Sequence, residues 1–319
     1  MHATITLLLA YIVDRIVGDP RFLTHPVVIM GRVISWLEKQ IRRCCRSDRS
    51  LKWAGLLFPL VLVGGSYMAI WVLLYALSRL SPWLAWAAEI WLISTTIASK
   101  GLADAGMDIF HHLKKSDLSS ARTALSMVVG RDTDKLDEPQ IVRGAVETVA
   151  ENMVDAIISP LFFAAIGGAP LAMAYRAANT LDSMVGYKDE RYLNLGWASA
   201  RFDDLANYIP ARLCALFIVV AAWLHGQSAT GAWRMMRRDA RKHPSPNSGF
   251  AEAGVAGALC IQLGGLNTYR GVTSHRALLG EPTRPLEAED IPRTVAIMHT
   301  GALIGVGLFV AVLLLISYR

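Results

Sequence analysis

The sequence predicts an all-α, polytopic integral membrane protein with broken or re-entrant segments and with polar helices and loops that face the cytoplasm. Three observations carry that prediction. Of 319 residues, 53% are hydrophobic and only 18% charged, a balance more apolar than that of ordinary soluble domains. Uncharged runs at 53–78, 156–175, 213–233 and 294–318 reach or approach the ~20 residues that cross a bilayer as a helix. No strand-like alternation and no internal repeat interrupts them. The whole chain, 1–319, reads as a single integral membrane domain with polar segments near 14–31, 130–155, 176–212 and 237–252.

The N-terminal stretch MHATITLLLAYIVDRIVGDP lacks a basic leader region and a small-residue cleavage site, and Asp14 follows its short apolar run, so it is expected to stay in the mature protein. Next, VGDPRFLTHPVVIMG supplies Asp19 and His25, each before a proline, in a rigid turn. Net charge is +6, and Lys39, Arg42, Arg43, Arg46, Arg49 and Lys52 crowd one loop ahead of the first long run. Such a loop is cytoplasmic by the positive-inside rule and suits anionic lipid headgroups. It lacks the aromatic interleaving of a single-strand binder, so nucleic acid is not an expected partner.

Runs 53–78 and 82–99, joined by RLSP, form an out-and-back hairpin; Trp83, Trp86 and Trp91 suit an interfacial belt, although Glu89 stands among them. Residue 100 is thereby returned to the cytoplasm, in agreement with Lys114, Lys115 and Arg122. Run 156–175 contains Pro160, Gly167, Gly168 and Pro170, which break a helix unless neighbours satisfy the freed backbone groups. A broken segment keeps the polar groups on its two sides in one compartment. Run 213–233 must then also fail to cross simply, because the basic WRMMRRDARK follows it. Ala253 with Gly257, and Gly254 with Ala258, are small residues four apart that permit close helix packing. Tyr318 and Arg319 end the last run as a membrane-exit pair. Cys44, Cys45, Cys214 and Cys260 show no zinc-ligand spacing and no disulfide framework, and read as free thiols.

Four polar constellations interrupt this apolar chain. In IVRGAVETVAENMVDAIISP, Arg143, Glu147, Glu151 and Asp155 recur every four residues. On an α-helix they drift ~40° per step and share one stripe ~120° wide. Adjacent carboxylates at that spacing repel by a few tenths of a kcal/mol each, and each would cost ~2.5–3.5 kcal/mol facing lipid at the bilayer centre. The stripe therefore faces water, protein or a cation. A solvated helix face would also explain it, but VVGRDTDKLDEPQ just before it adds Arg131 and further carboxylates, with Pro139 at the helix start. The second constellation, AYRAANTLDSMVGYKDERY, offers Arg176, Asn179, Asp182, Lys188 and Arg191. ARFDDLANYIPARL offers Arg201, Asp203, Asp204, Asn207 and Arg212. In RDARKHPSPNSGFAEA, Asn247 or Ser248 can cap a helix whose first turn carries Glu252, beside His243 and Ser245.

Carboxylates in register suit a divalent cation such as Mg2+, and arginines suit phosphates by bidentate bonding. Neither a P-loop nor a dinucleotide-binding glycine motif is present. The residues alone thus point to a metal–phosphate type of site at the cytoplasmic face of an inner-membrane protein and do not name its substrate.

At GDPRFLTHPV, at the long stretch from GRDTDKLDEPQIVRGAVETVAENMVD to RFDDLANYIPARL, and at RRDARKHPSPNSGFAEAGVAGALCIQLGG, the sequence resembles the CbiB/CobD family of cobalamin-biosynthesis membrane proteins, the adenosylcobinamide-phosphate synthases. The resemblance spans nearly the whole chain. It implies a multi-pass ligase of the bacterial inner membrane with its active site facing the cytoplasm. The implied reaction joins the free propionate of adenosylcobyric acid to (R)-1-amino-2-propanol or its O-phosphate. ATP and Mg2+ are the expected cofactors, acting through an acyl phosphate, and the corrinoid is a substrate.

On the motif positions, Glu147, Glu151 and Asp155 would hold Mg2+, with Asp182 or Asp204 as a further ligand or as the base that takes the amine proton. Arg131, Arg143, Arg176, Lys188, Arg191 and Arg201 would clamp phosphates with His243, Ser245 and Asn247. His243 also qualifies as an acid or base, and Asp19, His25, Asn179 and Asn207 complete the substrate-facing set. Lipid, other late corrinoid-assembly enzymes and a second copy of the chain are the expected macromolecular partners. A transporter of a corrinoid or small amine is the competing class, since broken apolar segments flanked by charges also build midplane sites. The few strong runs and the missing repeat count against it. A membrane phosphotransferase would use the same carboxylates.

Overall fold

The computed structural model describes residues 1–18, 25–187 and 189–318, so Asp19 and Lys188 lie outside the described residues. Helices fill most of the chain, which folds as two compact units built from interleaved segments. The first comprises Met1–Ala98, Ser159–Asn207 and Val306–Arg319; the second comprises Ser99–Ile158 and Tyr208–Gly305.

In the first unit, two helices meet along complementary stripes. Met30, Ile34, Leu37 and Ile41 line one face of the Pro26–Cys44 helix, while Met173, Ala177, Leu181 and Val185 recur every four residues near the end of Ser159–Val185. Both spacings track the helical period, and Phe58 and Leu62 fill the same core. His25 starts the first of these helices: its Nδ1 accepts from the Val27 N–H at 3.2 Å, and its Nε2 lies 3.0 Å from the Thr95 carbonyl. Both ring nitrogens are thus engaged in holding the helix start.

The expected break falls at Gly167 and Gly168, where φ/ψ leave the helical region. Gly168 has φ of 63°, and a Cβ there would stand 2.6 Å from Glu89 Oε1, so both backbone and space require glycine.

The second unit opens its central helix, Glu138–Met153, with a capping box. Asp137 accepts from the Gln140 N–H at 2.9 Å and Gln140 Oε1 accepts from the Asp137 N–H at 2.9 Å, with Pro139 in the first turn. A π-helical turn, Val154–Ile158, follows directly and carries Asp155. The small-residue helix Ser248–Leu259 is buried at every position except Phe250. It packs against Ala229–Asp239 so closely that a Cβ on Gly257 would meet the Gly231 carbonyl oxygen at 2.3 Å. Gly257→Val is therefore expected to destabilise this unit by about 1–3 kcal/mol or more. By contrast Gly101→Ala, where a Cβ meets nothing within 4 Å, should be neutral or slightly stabilising. Thermal unfolding of the two variants in detergent checks the contrast.

Among the described residues, three helical stretches are long and apolar enough to cross a bilayer: Asp48–Leu80, Glu138–Val185 and Asp290–Ser317. The bent pair Trp197–Ala206 and Tyr208–Leu224 makes a fourth if it counts as one span. Leu60 at 69% and Trp83 at 75% exposure present apolar surface that suits lipid rather than water. The chain is an all-α membrane protein, as its sequence predicts.

Run 213–233 is not one straight helix: its first helix ends at Leu224, and Ser228 caps the next by accepting from the Gly231 N–H. Two expectations need correction. Helix Pro82–Ser94 has 13 residues, too few to cross alone. Finally, an antiparallel hairpin joins Gln262–Tyr269 to Val272–Gly280, where no strand was expected. Its turn residues Arg270 and Gly271 both have positive φ, as a tight two-residue hairpin requires.

Candidate functional site

The charged residues of the second unit divide into a closed network and an open one. The closed network centres on Glu147, which is 1% exposed. Its carboxylate accepts from Arg131 and, at 2.8 Å, from the Gly264 N–H, and Arg143 Nε lies 3.8 Å away. Arg131 also donates to Asn267 Oδ1 at 2.7 Å; Arg143 donates to the Gly264 carbonyl, to the Leu266 carbonyl at 2.7 Å and to Asn267 Oδ1 at 2.9 Å. The hairpin has an irregularity between Leu263 and Gly265, and the polar groups of Gly264 turn there to Glu147 and Arg143. Asp132 clamps the far end of the hairpin by accepting from the N–H groups of Arg270 at 3.0 Å and Gly271 at 2.8 Å. Arg131, Arg143 and Glu147 thus bind one another and the hairpin backbone.

One helical turn further on, Glu151 has no hydrogen-bond partner among the described residues and joins the open network. Glu151, His243 and Glu252 each offer a ligand atom, all within 4.8 Å of one another, the one such group of three among the described residues. Glu252 is 1% exposed. Its Oε1 lies 3.3 Å from His243 Nε2, and both atoms are buried without an aligned hydrogen bond. A short side-chain adjustment brings three such donors onto one divalent cation, whose ligands sit ~2.1 Å away.

Local structure explains how His243 reaches this place. The helix Ala229–Asp239 tightens into a 3-10 turn at Ala240–Lys242, and Pro244 and Pro246 then forbid further helix. Ser245 Oγ accepts from the N–H groups of Asn247 at 3.2 Å and Ser248 at 3.3 Å, so Ser245 closes the turn. Asn247 is occupied elsewhere: its Oδ1 accepts from Arg212 at 2.5 Å, and the Arg212 guanidinium lies 3.8 Å from the Tyr208 ring centre and 4.6 Å from that of Phe250. His243 Nδ1 lies 3.1 Å from the Ser245 backbone nitrogen and 3.3 Å from the Ser245 carbonyl, so it accepts from the one or donates to the other according to the tautomer. In the tautomer that donates to the carbonyl, the N–H contact is given up and Nε2 presents its lone pair to a cation, the arrangement common to metal-binding histidines.

The electrostatics follow from burial and from carboxylate proximity. Burial is the main influence on Glu252 and pushes its carboxyl up; Glu151 and Glu147 add to the push and His243 opposes it. For His243, burial works against the charged ring, but Glu252 and then Glu151 outweigh it and hold the imidazole above its ordinary value. The side chain of Arg276, on the second strand, has no hydrogen bond or ion pair among the described residues. Although burial works against its charge, Tyr269 and then Glu151, Glu252 and Glu147 hold the guanidinium above its ordinary range. A guanidinium facing these carboxylates without a fixed partner is available to a phosphate or carboxylate bound beside a cation. Sequence reasoning missed Arg276, and noted Glu252 only as a first-turn residue.

Of the residues expected to hold a cation, Glu151 alone falls in this group of three: Glu147 is taken by arginines, Asp155 sits in the wider π turn where the four-residue register ends, and Asp204 belongs to the first unit, 4.0 Å from Arg201. Arg201 is 79% exposed. The other expected groups of the first unit have structural ties. Asn207, 1% exposed, accepts from Ser159 at 2.5 Å and Tyr175 at 2.9 Å and donates to Asp203 at 2.9 Å. Arg176 lies 3.4 Å from Asn179 Oδ1. Asp182 and Asp204 both act electrostatically on Asp203, and Arg191 pairs with Glu38 at 3.0 Å.

Fold and site together define a helical membrane protein with a mixed carboxylate–histidine centre backed by a free guanidinium. The model of the family described as CobD/Cbib protein matches residues 7–298. The chain belongs to that family. It is 46% identical over 303 residues to the cobalamin biosynthesis protein CbiB of Salmonella typhimurium strain LT2, covering 95% of each chain. It is 46% identical over 304 residues to the cobalamin biosynthesis protein CobD of Citrobacter koseri, again covering 95% of each, and 44% identical over 307 residues to CobD of Photorhabdus laumondii, covering 96% of each. No solved structure matches the chain.

Proposed function

We propose that the protein acts in cobalamin biosynthesis as a ligase joining the free propionate of adenosylcobyric acid to (R)-1-amino-2-propanol or its O-phosphate. Identity of 46% over 95% of the length of relatives named for cobalamin biosynthesis supports the pathway. The observation that carries the chemistry is the meeting of Glu151, His243 and Glu252, with the charge of Arg276 within their electrostatic reach. A carboxylate and an amine do not condense readily in water. In this reading ATP transfers a phosphoryl group to the propionate oxygen, releasing ADP, and the amine then forms the C–N bond as phosphate leaves and a proton is lost.

Glu151, His243 and Glu252 would hold the divalent cation. Two carboxylates fit Mg2+, and the imidazole shifts the donor set toward Mn2+ or Zn2+. When bound, such an ion supplies positive charge against the phosphate oxygens. Arg276 binds and orients a substrate phosphate or carboxylate by paired N–H donors. His243, with its Nδ1 held at Ser245, would turn Nε2 to that ion. Residence in a bacterial inner membrane with the site open to the cytoplasm completes the reading, and the basic residues at 39–52 support that orientation.

The test is to supply the purified full-length protein with adenosylcobyric acid, aminopropanol phosphate, ATP and Mg2+ or Mn2+. The amide should appear by mass spectrometry in step with ADP. Folded protein that makes no amide with either amine and either metal would refute the ligase. Corrinoid or amine crossing sealed vesicles without turnover would favour the transporter instead.

A further inference from the structure

A second charged cavity lies wholly within the first unit and shares no residue with Glu151, His243, Glu252 and Arg276. Its volume is about 580 Å³, within the range of small-molecule sites. Lys39, Arg42 and Arg43 enter it from the Pro26–Cys44 helix, and Arg191 enters from far along the chain. Glu38 and Tyr192 form its floor, with Met184 and Val185 as an apolar side.

Four cations against one carboxylate leave a formal surplus of +3, and that carboxylate is already engaged. Glu38 Oε1 accepts from Arg42 Nε at 2.8 Å and from Arg191 at 3.2 and 3.0 Å; Oε2 accepts from the Tyr192 hydroxyl at 3.3 Å. Burial works against the Glu38 charge, yet the hydrogen bonds from Arg42 and Arg191 outweigh it and hold the carboxyl below its usual range. Glu38 therefore stays ionised and fixes both guanidiniums. Arg42 is held further by donating to the Arg191 carbonyl at 2.8 Å, and the two guanidiniums lie 5.6 and 5.1 Å from the Tyr192 ring centre. Lys39 and Arg43 have no partner among the described residues. A helix C-terminus does favour basic residues in its last turn, which accounts for Arg42 and Arg43. It accounts neither for Arg191, 149 residues beyond Arg42, nor for the cavity.

We infer that this cavity is a phosphate-binding site: Glu38 presets Arg42 and Arg191, and the unpaired Lys39 and Arg43 close on the phosphoryl group of a bound ligand. Two sources supply that group, the headgroup of an anionic phospholipid and a soluble phosphate ester, and the partly buried Met184 accepts the apolar part of either.

The full-length protein in nanodiscs of phosphatidylcholine is titrated with pyrophosphate by calorimetry. In parallel, the protein is mixed with phosphatidylglycerol or phosphatidylcholine and retained lipid is counted by native mass spectrometry. The wild type should bind in at least one arm, and the double variant K39E/R43E, whose side chains lie at the rim, should bind there at least tenfold more weakly with an unchanged melting temperature. Pyrophosphate binding that is lost in the variant assigns a soluble ligand; selective phosphatidylglycerol retention that is lost assigns a lipid. Binding in neither arm, or binding that K39E/R43E leaves intact, overturns the inference. Glu38→Gln, which keeps the floor's shape, should also weaken binding, whereas a merely packed rim would not register it. None of these readouts depends on amide formation, so they stand or fall apart from the ligase.

Discussion

Glu252→Gln and Glu151→Gln are expected to reduce the proposed corrinoid amidation by roughly 100-fold or more while the protein reaches the membrane at its usual level. The expectation rests on what each carboxylate does in the fold. Glu252 is fully enclosed, and its Oε1 has no hydrogen-bond donor aligned on it. A buried charge left in that state costs stability, so an amide of the same shape should leave the fold as stable or more so. Glu151 likewise holds nothing together among the described residues. If both serve a divalent cation, the two glutamine variants lose bound metal as well as activity. Dialysis of the wild type against a chelator should reproduce the loss, and returning Mg2+, Mn2+ or Zn2+ should reverse it. Metal content by plasma mass spectrometry, thermal unfolding and the amidation assay together decide the matter. Undiminished activity in both variants would refute the cation site.

The membrane class is legible in composition because lipid leaves a one-dimensional trace: long uncharged runs in a chain with 18% charged residues. The break at Gly167–Gly168 is legible for the same local reason, since a glycine pair ahead of Pro170 cannot continue a helix. The hairpin is not. Its first strand contains Gly264 and Gly265, which read as loop, and its turn is Arg270–Gly271 rather than the Asn-Gly or Asp-Gly that marks a tight hairpin. Only the backbone of that hairpin explains Glu147, because the acceptors and donors that claim it and Arg143 are main-chain groups of Gly264 and Leu266. Periodicity places Glu147 and Glu151 on one helix face and stops there. That His243 and Glu252 meet the second of these carboxylates depends on a packing contact between segments some 90 positions apart, which a single sequence does not encode in any spacing.

Glu147→Ala, one turn from Glu151, is expected to fail in the opposite way, by loss of folded protein. The substitution leaves Arg131, whose side chain is 5% exposed, and Arg143, at 13%, without their shared carboxylate, and leaves the Gly264 N–H without an acceptor. Removing one partner of a buried, hydrogen-bonded charge network typically costs about 3–5 kcal/mol, a large part of the ~5–15 kcal/mol by which domains are stable. Membrane abundance should fall several-fold and the melting temperature should drop. The surviving folded fraction should keep nearly its full turnover per molecule and its full metal content. Replacing the pair together, Arg131→Met with Glu147→Leu, removes both charges and should recover part of the lost stability. A Glu147→Ala protein of normal abundance and melting temperature that has lost both metal and turnover would return Glu147 to the cation site, and with it the full four-residue stripe of carboxylates that the sequence suggests.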